Sequence, residues 1–134
     1  MRDGRVRRAL SDDRGSAPVE FVLVGVLLTF LTLAVLQLAL ALHIRNTVLD
    51  AAAEGARFGA LADNEPRDAA PRTAELIATA IGPDYARDIV VREGSWMGAP
   101  AVIVTVRTTL PLVGFLGMDR ALEVEGHAAR ETLD

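Results

Sequence analysis

Residues 19–42 read VEFVLVGVLLTFLTLAVLQLALAL, and this stretch decides the fold. From Phe21 to Leu42 there are 22 residues without a formal charge, and only Thr29, Thr32 and Gln37 are clearly polar. At a rise of about 1.5 Å per residue, such a run coiled as a helix crosses a hydrocarbon layer about 30 Å thick. One carboxylate, Glu20, stands at its mouth. A charge in lipid costs up to about 3 kcal/mol at midspan and less near an end, so Glu20 requires a reason.

Working outward, the 134 residues suffice for one domain. Leader and span take about 42 of them, which leaves about 90 for an extracytoplasmic module able to fold alone around a modest core. There is no Cys, which excludes disulfides and thiolate metal sites. Charge is split along the chain. Residues 1–15 carry five Arg against three Asp, a net +2, and the rest carries nine Arg against fifteen acidic residues, a net −6. Arg residues before the span, with only Arg45 and Arg57 soon after it, place the N-terminus in the cytoplasm and the bulk of the chain outside. An acidic exterior module argues against nucleic acid as a partner, which demands a basic patch.

Three membrane readings fit this pattern. The first is a permanent signal anchor holding a binding or sensing module. The second is a signal peptide cut at the small-x-small sequence Ala39-Leu40-Ala41, although the apolar run exceeds the usual 7–15 residues. The third is a short basic leader cut off before the apolar segment, which then stays with the mature chain.

The span meets no helix breaker. Residues 43–62 contain no Pro, and Ile44, Val48, Ala52, Gly55 and Gly59 share one stripe, with Arg45, Asp50, Glu54 and Arg57 off it. One helix is expected from about residue 18 to about residue 62, within a segment 16–62 whose membrane span covers about 21–42. Within it Ala51, Gly55 and Gly59 form a small-residue ladder. Helical Gly costs about 1 kcal/mol against Ala, so the ladder implies close packing. It can admit the backbone of another helix or the module's own sheet.

Residues 63–71 are a polar break. Pro71 suits the first position of a second helix, with Ala74, Ile77, Ala78 and Ile81 as its apolar stripe and Gly82-Pro83 as its stop. Strands follow. Residues 89–93 are short and β-branched, residues 94–100 read as a hairpin loop, and residues 101–110 alternate with Val102, Val104 and Val106 inward and a wet face opposite. The apolar loop 112–117 either tucks over its own core or meets a partner or the membrane. Residues 121–131 alternate again, with Leu122, Val124, Gly126 and Ala128 inward and Glu123, Glu125 and His127 outward. The expected fold class is α+β, a long N-terminal transmembrane helix continuing into a head, residues 63–134, with a second helix and a three-stranded antiparallel meander.

Catalytic chemistry finds no footing. His43 and His127 lie 84 positions apart, with no ligand spacing around either. Ser11, Ser16 and Ser95 lack a nucleophile elbow, and no phosphate-binding glycine loop occurs. Glu123 and Glu125 read as a solvated strand face rather than an acid/base pair, and Trp96 as a loop anchor rather than a ligand platform. No cofactor, metal or small-molecule substrate is expected.

The residues before the span are RGSAPVEF, 14–21. This segment resembles the processing site of type IV prepilins and pseudopilins, most closely the TadE-like pseudopilins of tight-adherence (Flp-type) pilus systems. RGSAPVEFVLV resembles their start, DAAAEGARFGA the segment after the span, and His127-Ala128-Ala129-Arg130-Glu131 their ending. The resemblance implies a pilin-like, non-enzymatic subunit of the bacterial cytoplasmic membrane that enters a pilus or aids its assembly. Its implied partners are the membrane, a prepilin peptidase cutting between Gly15 and Ser16, other pseudopilins and the pilus assembly platform. Residues 1–15 would be the cytoplasmic leader. Glu20 would become the fifth residue of the processed chain, followed by Phe21. Cleavage would leave an α-amine on Ser16, positive below about pH 8, as a partner for Glu20 in the same or a neighbouring subunit. Two departures stand out: Ser16 is not large and apolar, and Pro18 lies inside the processed start, where a first helical turn tolerates it.

Overall fold

The structure is a computed structural model that describes residues 16–111 and 121–132. Residues 1–15, where a leader ending at Gly15 is expected, and the apolar loop 112–117 lie outside the described residues. The chain divides into two compact units, Met1–Leu38 and Ala39–Asp134.

A 45-residue helix, α1, runs over Ser16–Ala60, about 68 Å at standard rise. Its large apolar side chains in the first unit are exposed, among them Phe21 at 81%. Pro18 sits in the first turn, where its missing N–H removes no helical bond. The span's hydroxyls turn back onto their own helix: Thr29 Oγ1 donates to Gly25 O at 2.8 Å, and Thr32 Oγ1 to Leu28 O at 2.8 Å.

In the second unit α1 becomes part of a core. Ile44, Val48, Ala51, Ala52, Gly55, Ala56, Gly59 and Ala60 are buried, which contains the whole predicted stripe. The helix stops two residues before the expected end because its last carbonyls find other donors. Asn64 Nδ2 donates to Phe58 O at 2.8 Å, and the Glu131 N–H donates to Ala60 O at 2.9 Å.

A 3-10 turn at Pro66–Asp68 leads into α2, Ala69–Ala80. Pro71 is therefore its third residue rather than its first, still within the turn whose N–H groups have no helical acceptor. The buried face of α2 is Ala69, Thr73 and Ile77. The sequence stripe shares only Ile77 with it; Ala74 and Ala78 are half-buried. Thr73 tolerates complete burial because its hydroxyl donates to Ala69 O at 2.9 Å. Gly82, at φ 111°, ends the helix in a conformation suited to glycine, and a second 3-10 turn follows at Pro83–Ala86.

Three antiparallel strands complete the head: β1 Asp88–Trp96, β2 Ala99–Thr109 and β3 Ala121–Ala129, in the order β1-β2-β3. Val104 pairs with Val91 on one side and Gly126 on the other. Val102, Val104, Val106, Val124 and Ala128 join α1 and α2 in one core.

Two sequence expectations fail here. The hairpin loop is not residues 94–100 but only Met97 and Gly98, whose φ values of 51° and 82° suit the right-handed twist of a tight hairpin. Both strands consequently extend to the turn. The outer face of β2 is wet only toward its end: Arg107 and Thr109 are exposed, whereas Ala101, Ile103 and Thr105 are buried, because longer side chains from β1 and β3 roof the central strand.

Candidate functional site

At the start of α1, Ser16 and Glu20 fall one helical turn apart. Ser16 Oγ donates to Glu20 Oε1 at 2.9 Å. Both are exposed, and Phe21 beside them projects outward. Glu20 has no other hydrogen-bond or ion-pair partner among the described residues. This end thus presents a carboxylate with one oxygen held, at the head of an exposed apolar helix. Of the proposed processing pair, only Ser16 is described.

The ladder lies in the second unit, and the close neighbour of its glycines is α2 of the same chain rather than the sheet. A Cβ added to Gly55 would stand 1.8 Å from Thr73 Oγ1 and 3.0 Å from Ala69 O. One added to Gly59 would stand 2.9 Å from Ala69 Cβ and 3.2 Å from Pro66 O. Ala51 is buried on the same helix.

The sheet makes its own close approach through Gly126, a residue the sequence reading placed inward without a role. A Cβ there would lie 2.4 Å from Ala52 C and from Ala53 N, closer than any side chain permits. The available signal was a glycine inside an alternating strand pattern, which marks close backbone approach.

A polar cluster covers the outer sheet face. Arg92 Nη2 donates to Glu125 Oε2 at 3.1 Å, Thr105 Oγ1 donates to the same oxygen at 3.3 Å, and His127 Nε2 lies 2.6 Å from Glu125 Oε1. The Arg92 hydrogen bond, aided by His127, holds the Glu125 carboxyl below the usual carboxylate range against a smaller desolvation effect. Trp96 stacks on His127, with ring centroids 6.0 Å apart and planes 13° apart. Glu123 is engaged separately by Arg107 Nε at 2.6 Å. Among the described residues no group of three or more His, Cys, Asp or Glu could hold a metal ion. His43 is exposed where the apolar run ends.

The long helix is the one described helix whose length and composition suit a membrane crossing. A family model, TadE-like protein, matches residues 15–57, so the chain carries a TadE-like segment from the predicted processing site through most of α1. Residues 127–131, whose sequence also suggested this family, lie outside the match. No curated protein and no solved structure is significantly similar to the chain.

Proposed function

We propose, taking the TadE-like match over residues 15–57 as the premise, that this chain is a minor pseudopilin of a tight-adherence pilus or related secretion machine. In this reading residues 1–15 are a cytoplasmic leader, and a prepilin peptidase cuts between Gly15 and Ser16. The span, about 21–42, holds the subunit in the bacterial cytoplasmic membrane. The head, residues 63–134, stands on the extracytoplasmic side and meets other pseudopilins and the assembly platform.

The observation that carries the reading is the placement of Glu20. It lies in the second turn of a helix that begins at Ser16, immediately before an exposed apolar run whose two threonine hydroxyls are satisfied within the helix. A permanent anchor has no use for a carboxylate there, since insertion alone would be cheaper without it. An assembling helix does, because a partly paired charge in lipid is relieved only when a cationic partner arrives in the correct register. The small, acidic head supports a role in recognition by other subunits rather than turnover of a substrate.

The test is the N-terminus of the chain recovered from membranes of cells carrying the cognate peptidase, read by mass spectrometry. A start at Ser16 is expected; a start at Met1 would sink the proposed processing and return the chain to a signal-anchored module. Glu20→Ala is expected to leave membrane insertion intact and to impair assembly.

A further inference from the structure

Glu20 does not stand alone at the head of the span. Ser16 lies four residues earlier on the same helix face, and its hydroxyl donates to Glu20 Oε1 at 2.9 Å. The threonines of the span behave differently, since Thr29 and Thr32 each donate to the carbonyl four residues before them. The Ser16 hydroxyl instead goes to a side chain, the Glu20 carboxylate.

A hydrogen bond from hydroxyl to carboxylate is stronger than one between neutral groups, and stronger again where water is absent. It also fixes geometry. A Glu side chain loses rotamer freedom when it is held, and here it is held back toward the start of the helix. A carboxylate accepts through both oxygens. Ser16 occupies Oε1, and Oε2 has no partner among the described residues.

We infer that Ser16 is a positioning residue for Glu20: its hydroxyl pins Oε1 and presents Oε2 to a cationic donor on the helix of a neighbouring subunit. This rests on the proposed assembly role of Glu20 and goes beyond it by assigning work to the Ser16 side chain. The departure from a large apolar first residue then has a physical purpose. Apolar residues at position 16 would cover the carboxylate but could not orient it.

The experiment uses the full chain in cells with the cognate peptidase and the other pilus subunits. Ser16→Ala, Ser16→Thr, Glu20→Ala and the Ser16→Ala/Glu20→Ala double variant are compared. For each, membrane content, the N-terminal residue by mass spectrometry and the fraction co-purifying with the other subunits are measured. Ser16→Ala is expected to keep membrane content and cleavage, and to lower co-purification about five- to tenfold. Ser16→Thr restores it, and Ser16→Ala adds nothing once Glu20 is Ala. Wild-type co-purification of Ser16→Ala, failure of Thr to restore, or an equal further loss in the Glu20→Ala background each overturns the inference. So does a loss that tracks an uncut N-terminus, which assigns Ser16 to cleavage instead. Wild-type co-purification of Glu20→Ala alone overturns the pseudopilin reading beneath it.

Discussion

Gly25 and Gly126 sit on elements that both look permissive, yet their surroundings differ sharply. A Cβ at Gly25 would meet nothing within 4 Å, whereas one at Gly126 would press into the backbone at Ala52 and Ala53. Backbone cannot rotate away as a side chain can, so Gly126→Ala should cost about 2–3 kcal/mol. The full chain in detergent micelles should then melt roughly 10–15 °C lower, while Gly25→Ala does not lower the melting temperature. Gly55 is an intermediate case. Its nearest neighbour is the Thr73 hydroxyl, but Ala69 O lies behind it. Gly55→Ala should therefore destabilise, and Thr73→Ala should recover part of that loss in a double-mutant cycle. Such packing was only half legible. The glycines of α1 announced a close approach, but Thr73 did not announce itself as the partner. A threonine in a helix reads as surface unless its hydroxyl is known to find a carbonyl.

Among the elements, the long helix was the easiest to foresee, because an uncharged run without a breaker leaves few alternatives. The hairpin was harder. Gly98 signalled a turn, but Met97 gives no hint that it will adopt a positive φ, so the strands came out too short. The burial of Ala101, Ile103 and Thr105 on the outer face of β2 was illegible for another reason: its cover comes from residues distant in sequence. Trp96 on β1 reaches His127 on β3 although the two strands are not neighbours in the sheet. As the single tryptophan, Trp96 reports on this contact directly. His127→Ala should shift its emission to the red and enlarge its accessibility to acrylamide; an unchanged spectrum would mean that the stack does not hold the hairpin. Glu125 makes the same face sensitive to acid. Its folded-state carboxyl is held low by Arg92 first and His127 second, so the stabilisation is present above the unfolded value of about 4.3 and is lost as pH falls below it. Denaturant titrations of the full chain between pH 6 and 3 should show this loss, and Glu125→Gln should flatten that part of the profile.

On the scale of the molecule, one helix serves two environments. Up to Leu38 it offers apolar side chains to its surroundings, and from Ile44 onward its small residues form a wall of the head's core. Every buried residue of α1 lies at or beyond position 44. A chain beginning at Leu42 should therefore fold as a soluble head with cooperative thermal unfolding, whereas one beginning at Leu61 should not fold. Circular dichroism of the two truncations checks this. The TadE-like match ends at residue 57, close to where this helix ends.

One consequence of the Gly126 contact reaches beyond stability. A sheet strand can slide past its neighbour by two residues without turning its faces inside out. If β3 moved by that amount, Val124 or Ala128 would take the place opposite Val104 that Gly126 now holds. Each carries a Cβ, and the helix backbone leaves no room for one. The missing methyl is thus a notch into which only one alignment drops. It counts the strand into place, and through the Glu131 N–H on Ala60 O it fixes where the chain's end meets the end of the long helix.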